Sequence, residues 1–345
     1  MAVLPALLAL ALAAPGQTAP VDPAAPPQTP VAAQAEAQAP VRLEDVVVDA
    51  RRLEEAAEDY VDLIAAPVRR RGLARWKEGV CVGVANLRPE VAQPIVDRVS
   101  DVARSLGLRA HEPECHPSIL IIATTGASAF AEDFVARRPR LFRVGATGMD
   151  RGSAALREFI HGDRPVRWWH VSLPVDSETG RAIVRFPGEV AGAAAAPGSG
   201  STAQDYAPIT AVNAPSRLND QYEDVLKRVF IIVDVDRLQG VGTAQLADYL
   251  AMVAMAQIDP DGDAGAFDSI LNLFGDPAVA PPGLTGWDRA YLDGLYDPDS
   301  EIHRINQRAQ VQAVAAAIAT AYRGEDVEDE AGRRQPRRNL GRLSR

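Results

Sequence analysis

Positive charge, cysteine and long apolar runs are all scarce in this sequence. Lys and Arg number 36 against 46 Asp and Glu, for a net charge of −10. That balance excludes a general nucleic-acid binder, which presents a basic surface to phosphate. No stretch reaches the roughly 20 apolar residues that cross a bilayer, so no stable membrane span is expected. Cys81 and Cys115 are the only two cysteines. Catalytic signatures are missing as well. "ILIIATTGASAF" places a loop with one glycine between a strand and a helix, too few glycines and no lysine for a phosphate loop. There is no G-x-S-x-G, and His161, His170 and His303 have no serine or cysteine partner in sequence. Nucleotide binding and serine-hydrolase chemistry are excluded on these grounds, and no cofactor is expected.

The apolar run Ala2–Ala14 is present but too short to span a membrane. It has the length of a signal-peptide core, with small-residue cleavage contexts at Ala11-Leu12-Ala13 near its end and Gln17-Thr18-Ala19 after it, although no basic segment precedes it. Residues 1–19 therefore read as a signal peptide, and the protein as exported, periplasmic or secreted. An oxidising compartment suits one disulfide between Cys81 and Cys115. Residues 20–42 are Ala, Pro, Gln and Thr with few large apolar side chains, the composition of a disordered linker. One α/β (α+β) domain is expected over residues 43–323. The low-complexity tract at 191–207 reads as a flexible loop, and the charged residues 324–345 as a disordered tail.

Within the domain, "VCVGVANL" and "SILIIATT" read as buried strands joined by a helix that Pro89 starts and Gly107 ends. A right-handed crossover makes those strands parallel neighbours. Cys81 and Cys115 flank the unit, and closing such a loop is worth roughly 3–4 kcal/mol in the chain-entropy model. Thr125 or Ser128 can cap the next helix. "PVRWWHVSLPVDSETGRAIVRF" predicts a β-hairpin turning at "DSETG". "DQYEDVLKR" predicts a short helix before the strand "VFIIVDV". Further helices are expected from an N-cap at Thr243, from a cap at Thr285, and over residues 301–322.

Four segments carry residues of chemical interest. "HEPECH" holds His111, Glu112, Cys115 and His116, which with Cys81 could bind zinc or copper; the disulfide competes for the same sulfurs and is the reading adopted. Asp259, Asp261 and Asp263 match the first three ligand positions of a calcium loop, but Ala264 and Ile270 occupy its glycine and glutamate positions. A carboxylate-rich turn is the simpler reading. On the strand "PVRWWHV", Trp168 and His170 point one way, Arg167 and Trp169 the other. This is the candidate binding surface, because tryptophan and arginine dominate recognition hot spots. The fourth segment, "QLADYLAMVAMAQ", is apolar nearly all round, the pattern of an interior helix.

The eleven residues from Ala247 read A-D-x-x-A-x-x-A-x-x-Q, the spacing of H-E-x-x-H-x-x-G-x-x-H. "GLTGWDRAYLDGLYDP" resembles the L-T-x-x-D-x-x-x-L-x-x-L-Y segment of matrixin-type metzincins, and "SILNLF" resembles a run that lies between the two. "RWKEGVCVGVANL" resembles the start of the DUF2927 family of exported, zincin-like bacterial proteins. The resemblance covers roughly residues 74–321. It implies a zincin-like mixed sheet with a buried central helix. In zincins two helical histidines and a third ligand hold zinc beside a glutamate base. Here those positions are Ala247, Ala251, Gln257 and Asp248, so the resemblance implies a degenerate metallopeptidase with no metal site. The expected function is non-catalytic binding of an envelope protein, peptide or glycan. The alternatives are a metal-dependent hydrolase with other ligands and a structural envelope scaffold.

Overall fold

The computed structural model describes residues 43–68, 71–142, 151–177, 179–182, 222–275, 280–297 and 307–334. The expected signal peptide, linker and 191–207 loop lie outside these residues.

A parallel unit opens the sheet. Strand β1 (Val82–Ala85) leads through helix α2 (Pro89–Ser105) to strand β2 (Ile119–Thr124), following helix α1 (Leu43–Ile64) at the start of the domain. Pro89 stands at the first helical position, where its missing N–H costs no hydrogen bond. Gly107 leaves the helix with φ 77°, and Leu108 N–H closes on Ala103 O at 2.9 Å. The strands pair in parallel register from Val82↔Ile119 to Ala85↔Ile122. The sulfurs of Cys81 and Cys115 lie at bonding distance beside this unit, with their Cα atoms 6.1 Å apart.

Helices α3 (Ala127–Arg137), α4 (Pro139–Phe142) and α5 (Gly152–His161) come next. Neither Thr125 nor Ser128 caps α3; Gly126 occupies that position with φ 133°, which disfavours any side chain. Strand β3 (Val166–Asp176) then pairs antiparallel with strand β4 (Tyr222–Asp234), and β4 pairs in parallel with β2. The sheet order is β1-β2-β4-β3, a mixed sheet with β3 at its edge.

One expectation falls partly outside the described residues and one is corrected here. The predicted hairpin turns at Asp176, whose N–H donates to Arg181 O (2.9 Å), and Ala182 bridges antiparallel to Val175; the rest of its return strand lies outside the described residues. The partner along the whole of β3 is β4, from Val166↔Val233 to Asp176↔Tyr222. The predicted helix "DQYEDVLKR" is, from Tyr222 on, the first half of that strand. Glu223 and Asp224 are buried in this strand. Arg71 pairs with Asp224, and Lys77 with Glu223. Paired charge can be buried where single charge cannot.

Both faces of the sheet are covered. Phe230, Ile232 and Trp169 face α3, α4 and α5, with Phe142 packed against Phe230 at 4.9 Å between ring centroids. Ile121, Ile231 and Trp168 face the other way, into a larger core that includes α1, α2, helix α6 (Thr243–Met255) and helix α7 (Gly286–Tyr296). The last helix, α8 (Gln307–Arg334), packs against α1 and α7. It extends past the expected end at 322, through the first part of the predicted tail; residues 335–345 lie outside the description.

Thr285 caps α7 as the sequence predicts. Its partner, Asp288, is the acidic residue of the L-T-x-x-D spacing and is fully buried. One carboxylate oxygen accepts from the Tyr60 hydroxyl (3.0 Å) and from Ser269 Oγ (2.6 Å). The other accepts from Ile270 N–H (2.8 Å) and from the N–H and hydroxyl of Thr285 (both 2.9 Å). Burial and the Asp288 charge hold the Tyr60 phenol well above its ordinary range, so Tyr60 stays a donor. Removing the carboxylate leaves the N–H groups of Ile270 and Thr285 and the Ser269 hydroxyl without this acceptor, while Thr285 Oγ1 keeps Asp268 O and Tyr60 keeps Ser269 Oγ. Asp288→Ala is expected to lower unfolding free energy by about 3 kcal/mol, read from urea denaturation midpoints.

Candidate functional site

The residues of "TAQLADYLAMVAM" form α6 because its apolar positions run around the whole helix, and from Leu246 to Met255 all are buried. The cap position is Gly242, one residue before the expected Thr243, and Gln245 Oε1 accepts from Gly242 N–H at 3.2 Å. Ala247, Ala251 and Ala254 are buried on a helix that packs against α2. Asp248 pairs with Arg98 of α2, and its second oxygen accepts from Leu284 N–H at 3.2 Å. A Cβ on Gly283 would stand 2.3 Å from that oxygen, so a side chain there would displace the Asp248 carboxylate. Gln257 accepts from Ala74 N–H (3.3 Å) and donates to Ser172 Oγ (3.2 Å). The positions with zinc-helix spacing are thus committed to internal packing and internal hydrogen bonds. Among the described residues, no three His, Cys, Asp or Glu side chains group as metal ligands would.

The four last carbonyls of a helix have no partner within it. In α6 each one finds a donor. Met252 O takes Ala256 N–H (3.3 Å), and Val253 O takes His170 Nε2 (2.7 Å). Ala254 O takes the Trp76 indole (2.8 Å), and Met255 O takes the Tyr296 hydroxyl (2.6 Å). Trp168 Nε1 donates to Ile258 O just beyond, at 2.9 Å.

This arrangement corrects the candidate binding surface. Arg167, Trp168, Trp169 and His170 are 2%, 4%, 2% and 5% exposed. The alternation is as the sequence implies, but helices cover both faces. Arg167 donates to Ile160 O (2.6 Å) at the end of α5, and Trp169 Nε1 to Phe142 O (3.0 Å) at the end of α4. The indoles of Trp168 and Trp169, the His170 ring and one terminal nitrogen of Arg167 close helix ends or an adjoining loop, while Arg167 Nε is buried without a partner among the described residues. The Asp259 loop is similarly engaged: Asp259 pairs with Arg151 (3.2 Å), Asp261 with Arg164 (2.8 Å), and Asp263 accepts from Gly265 N–H (2.9 Å).

A concave site exists elsewhere. A cavity of about 1070 Å³ lies between the end of α2, the strand-like segment at 75–77, α7 and α8. Arg75 and Lys77 line one part, and Asp293 and Asp297 another; Leu106, Leu108, Ala290, Gly294, Ala316 and Ala317 supply apolar lining. The small residues reflect close helix packing, since a Cβ on Gly294 would stand 2.9 Å from the Ala317 Cβ. A second recess of about 500 Å³ shares Ser105, Leu106 and Asp293 with the first and adds Arg98 and Arg289. Neighbouring protein strips hydration from Asp293 and raises its pKa, against the pull of the Arg289 charge. Desolvation lowers the pKa of Arg75, against the influence of Glu223 and Tyr296. Sequence patterning missed this cavity because its walls come from four separated segments. The available signal was the clustering of small residues in "RAYLDGLY" and "AVAAAIATAY".

His170 has a measurable consequence. Burial pushes its pKa down to about 4; the bonds to Val253 and Ala256 carbonyls oppose that shift and the Arg151 charge adds to it. The folded protein therefore binds this proton less readily than the unfolded chain, where the pKa is about 6.5. The contribution is fully present above pH 6.5 and is lost as pH falls toward 4, by about 3 kcal/mol. Urea midpoints of wild type should fall more steeply over that interval than those of His170→Gln. Equal slopes would show that His170 is not held neutral.

Compared with known proteins, the chain matches no family model, and neither the curated proteins nor the solved structures contain a match to it.

Proposed function

We propose that this chain is an exported, zincin-like protein without peptidase chemistry, which binds an extended peptide segment of an envelope protein in the cavity between α2, α7 and α8. One observation carries the reading. The cavity of about 1070 Å³ brings charged groups of both signs together with an apolar lining. A peptide offers the same mixture along its length. A neutral glycan would call for exposed aromatic platforms, whereas the aromatic residues of this wall, Trp76 and Tyr296, are buried.

The non-catalytic half rests on donor chemistry. Activating water with a metal needs several nitrogen or oxygen ligands and a base beside them. Ala247 and Ala251 offer none, Gln257 is bonded to Ala74 and Ser172, and Asp248 is paired with Arg98. The zincin-like half is supported by the mixed sheet and by the buried α6 that follows β4. Export is supported by the apolar run Ala2–Ala14 and by two cysteines at bonding distance. Among the described residues, no helix is long and apolar enough to cross a membrane.

The test uses the oxidised full chain, immobilised and exposed to a random hexapeptide pool, with retained peptides identified by mass spectrometry. Ala316 is exposed on α8 and lines the cavity, so Ala316→Trp should fill it at little cost in stability. The expected result is retention by wild type and a loss of about tenfold or more in that variant, at an unchanged thermal midpoint. Equal retention by both would remove the cavity as the binding site. Chelator-sensitive cleavage of the pool in the presence of zinc would overturn the non-catalytic reading.

A further inference from the structure

We infer that the cavity anchors its ligand by a carboxylate, with Arg75 as the anchoring residue; this rests on the peptide-binding reading above. Four observations bring Arg75 forward. First, it lines the cavity. Second, its Nε is buried with no hydrogen-bond partner among the described residues, and its nearest ion-pair oxygen, on Glu223, is 3.9 Å away. A guanidinium presents five donors in a planar fork; Nε is closed off by protein, and the donors a ligand would meet are the terminal nitrogens, whose described contact is the 3.9 Å ion pair to Glu223.

Third, its backbone is fixed. Arg75 N–H donates to Asp224 O (3.3 Å), and Arg75 O accepts from Leu226 N–H (2.8 Å), so residue 75 pairs with β4 as a short parallel bridge. On either side Ala74 is held by Gln257, and Trp76 by Tyr296. A guanidinium mounted on such a segment loses little freedom when it binds. Fourth, the charge on this segment suits a monoanion better than a dianion. Arg75 and Lys77 share one carboxylate, that of Glu223, while Asp293 and Asp297 balance the two cations in the lining of the cavity as a whole. A dianionic phosphate would meet repulsion from Glu223, so a single carboxylate is the better match. Asp293 and Asp297 line another part of the same cavity and suit a basic or neutral residue of the ligand.

Either the C-terminus of a peptide or an Asp or Glu side chain can supply the carboxylate. Three N-acetylated hexapeptide pools separate these sources. One has a free C-terminus and no Asp or Glu; one is amidated and contains Asp and Glu; one is amidated and lacks both. At least one of the carboxylate-bearing pools should be retained about tenfold better than the pool without carboxylates. Arg75→Gln should erase that preference, and Arg75→Lys, which keeps the charge near Glu223 but loses the fork, should retain part of it. Circular dichroism of both variants confirms that they are folded. Equal retention of all three pools, abolished together by Ala316→Trp, would overturn the carboxylate inference while leaving the cavity as a peptide site. Retention of no pool by wild type would overturn both. An unchanged carboxylate preference in both Arg75 variants would remove Arg75 as the anchor.

Discussion

The carboxyl end of α6 is the constraint around which the domain is arranged. Its last carbonyls point into a dry interior, where each unmatched group would cost about 1–3 kcal/mol. Three side chains reach them from three parts of the chain: Trp76 from the segment beside β4, His170 from β3 and Tyr296 from α7. Helix capping thereby becomes tertiary structure. The same bonds that satisfy the helix fix the edge strand, the 71–77 segment and α7 against one another. They also explain why β3 carries tryptophan and histidine without offering them to a ligand.

Around this end the buried polar groups form a continuous set. Arg71 pairs with Asp224 and donates to Ser172 Oγ (3.2 Å), which also accepts from Gln257. Leu73 N–H donates to Gln310 Oε1 on α8 at 2.8 Å, and a Cβ on Gly72 would stand 2.4 Å from that oxygen. One extended segment is thus tied to β3, β4, α6, α7 and α8. The network makes the resemblance to a zinc helix instructive. Gln257 falls at a ligand position and keeps a polar end there, but that end bonds a backbone amide and a hydroxyl. Asp248 is likewise a carboxylate in the place of a base, yet it joins α6 to α2. In this chain the positions with that spacing are joints between elements.

Local chemistry was legible in the sequence wherever it decided the structure. Pro89 and Gly107 bound α2, Thr285 caps α7, and the apolar runs of β1 and β2 lie parallel as a right-handed crossover requires. The continuous apolar surface of α6 marked it as interior. Two helix caps shifted by a residue or more, to Gly126 and Gly242, and the larger failures depended on distant partners. The first half of β4 reads as a short helix in sequence, whereas its acids are neutralised in the strand by Arg71 and Lys77, some 150 positions earlier. The Trp-Trp-His stretch looked like a recognition surface because residue type does not reveal what covers a strand. His170 finds Val253 across 83 positions, and no periodicity encodes that pairing.

The same asymmetry explains where a ligand site can remain. Both faces of the sheet are closed by helices, and α6 is packed on all sides. The cavity lies where helices meet imperfectly. The close approach of α7 and α8 at Gly294 and Ala317 leaves short side chains facing outward, and the end of α2 at Leu106 stands across from them. The 71–77 segment borders that space because its backbone must reach the end of α6, and this brings Arg75 to the cavity with its guanidinium only partly matched. A residue held so firmly by its main chain, with side-chain donors still available, is a consequence of the interior hydrogen bonding. The capping of one buried helix and the placement of a charged group at the surface are two ends of the same segment.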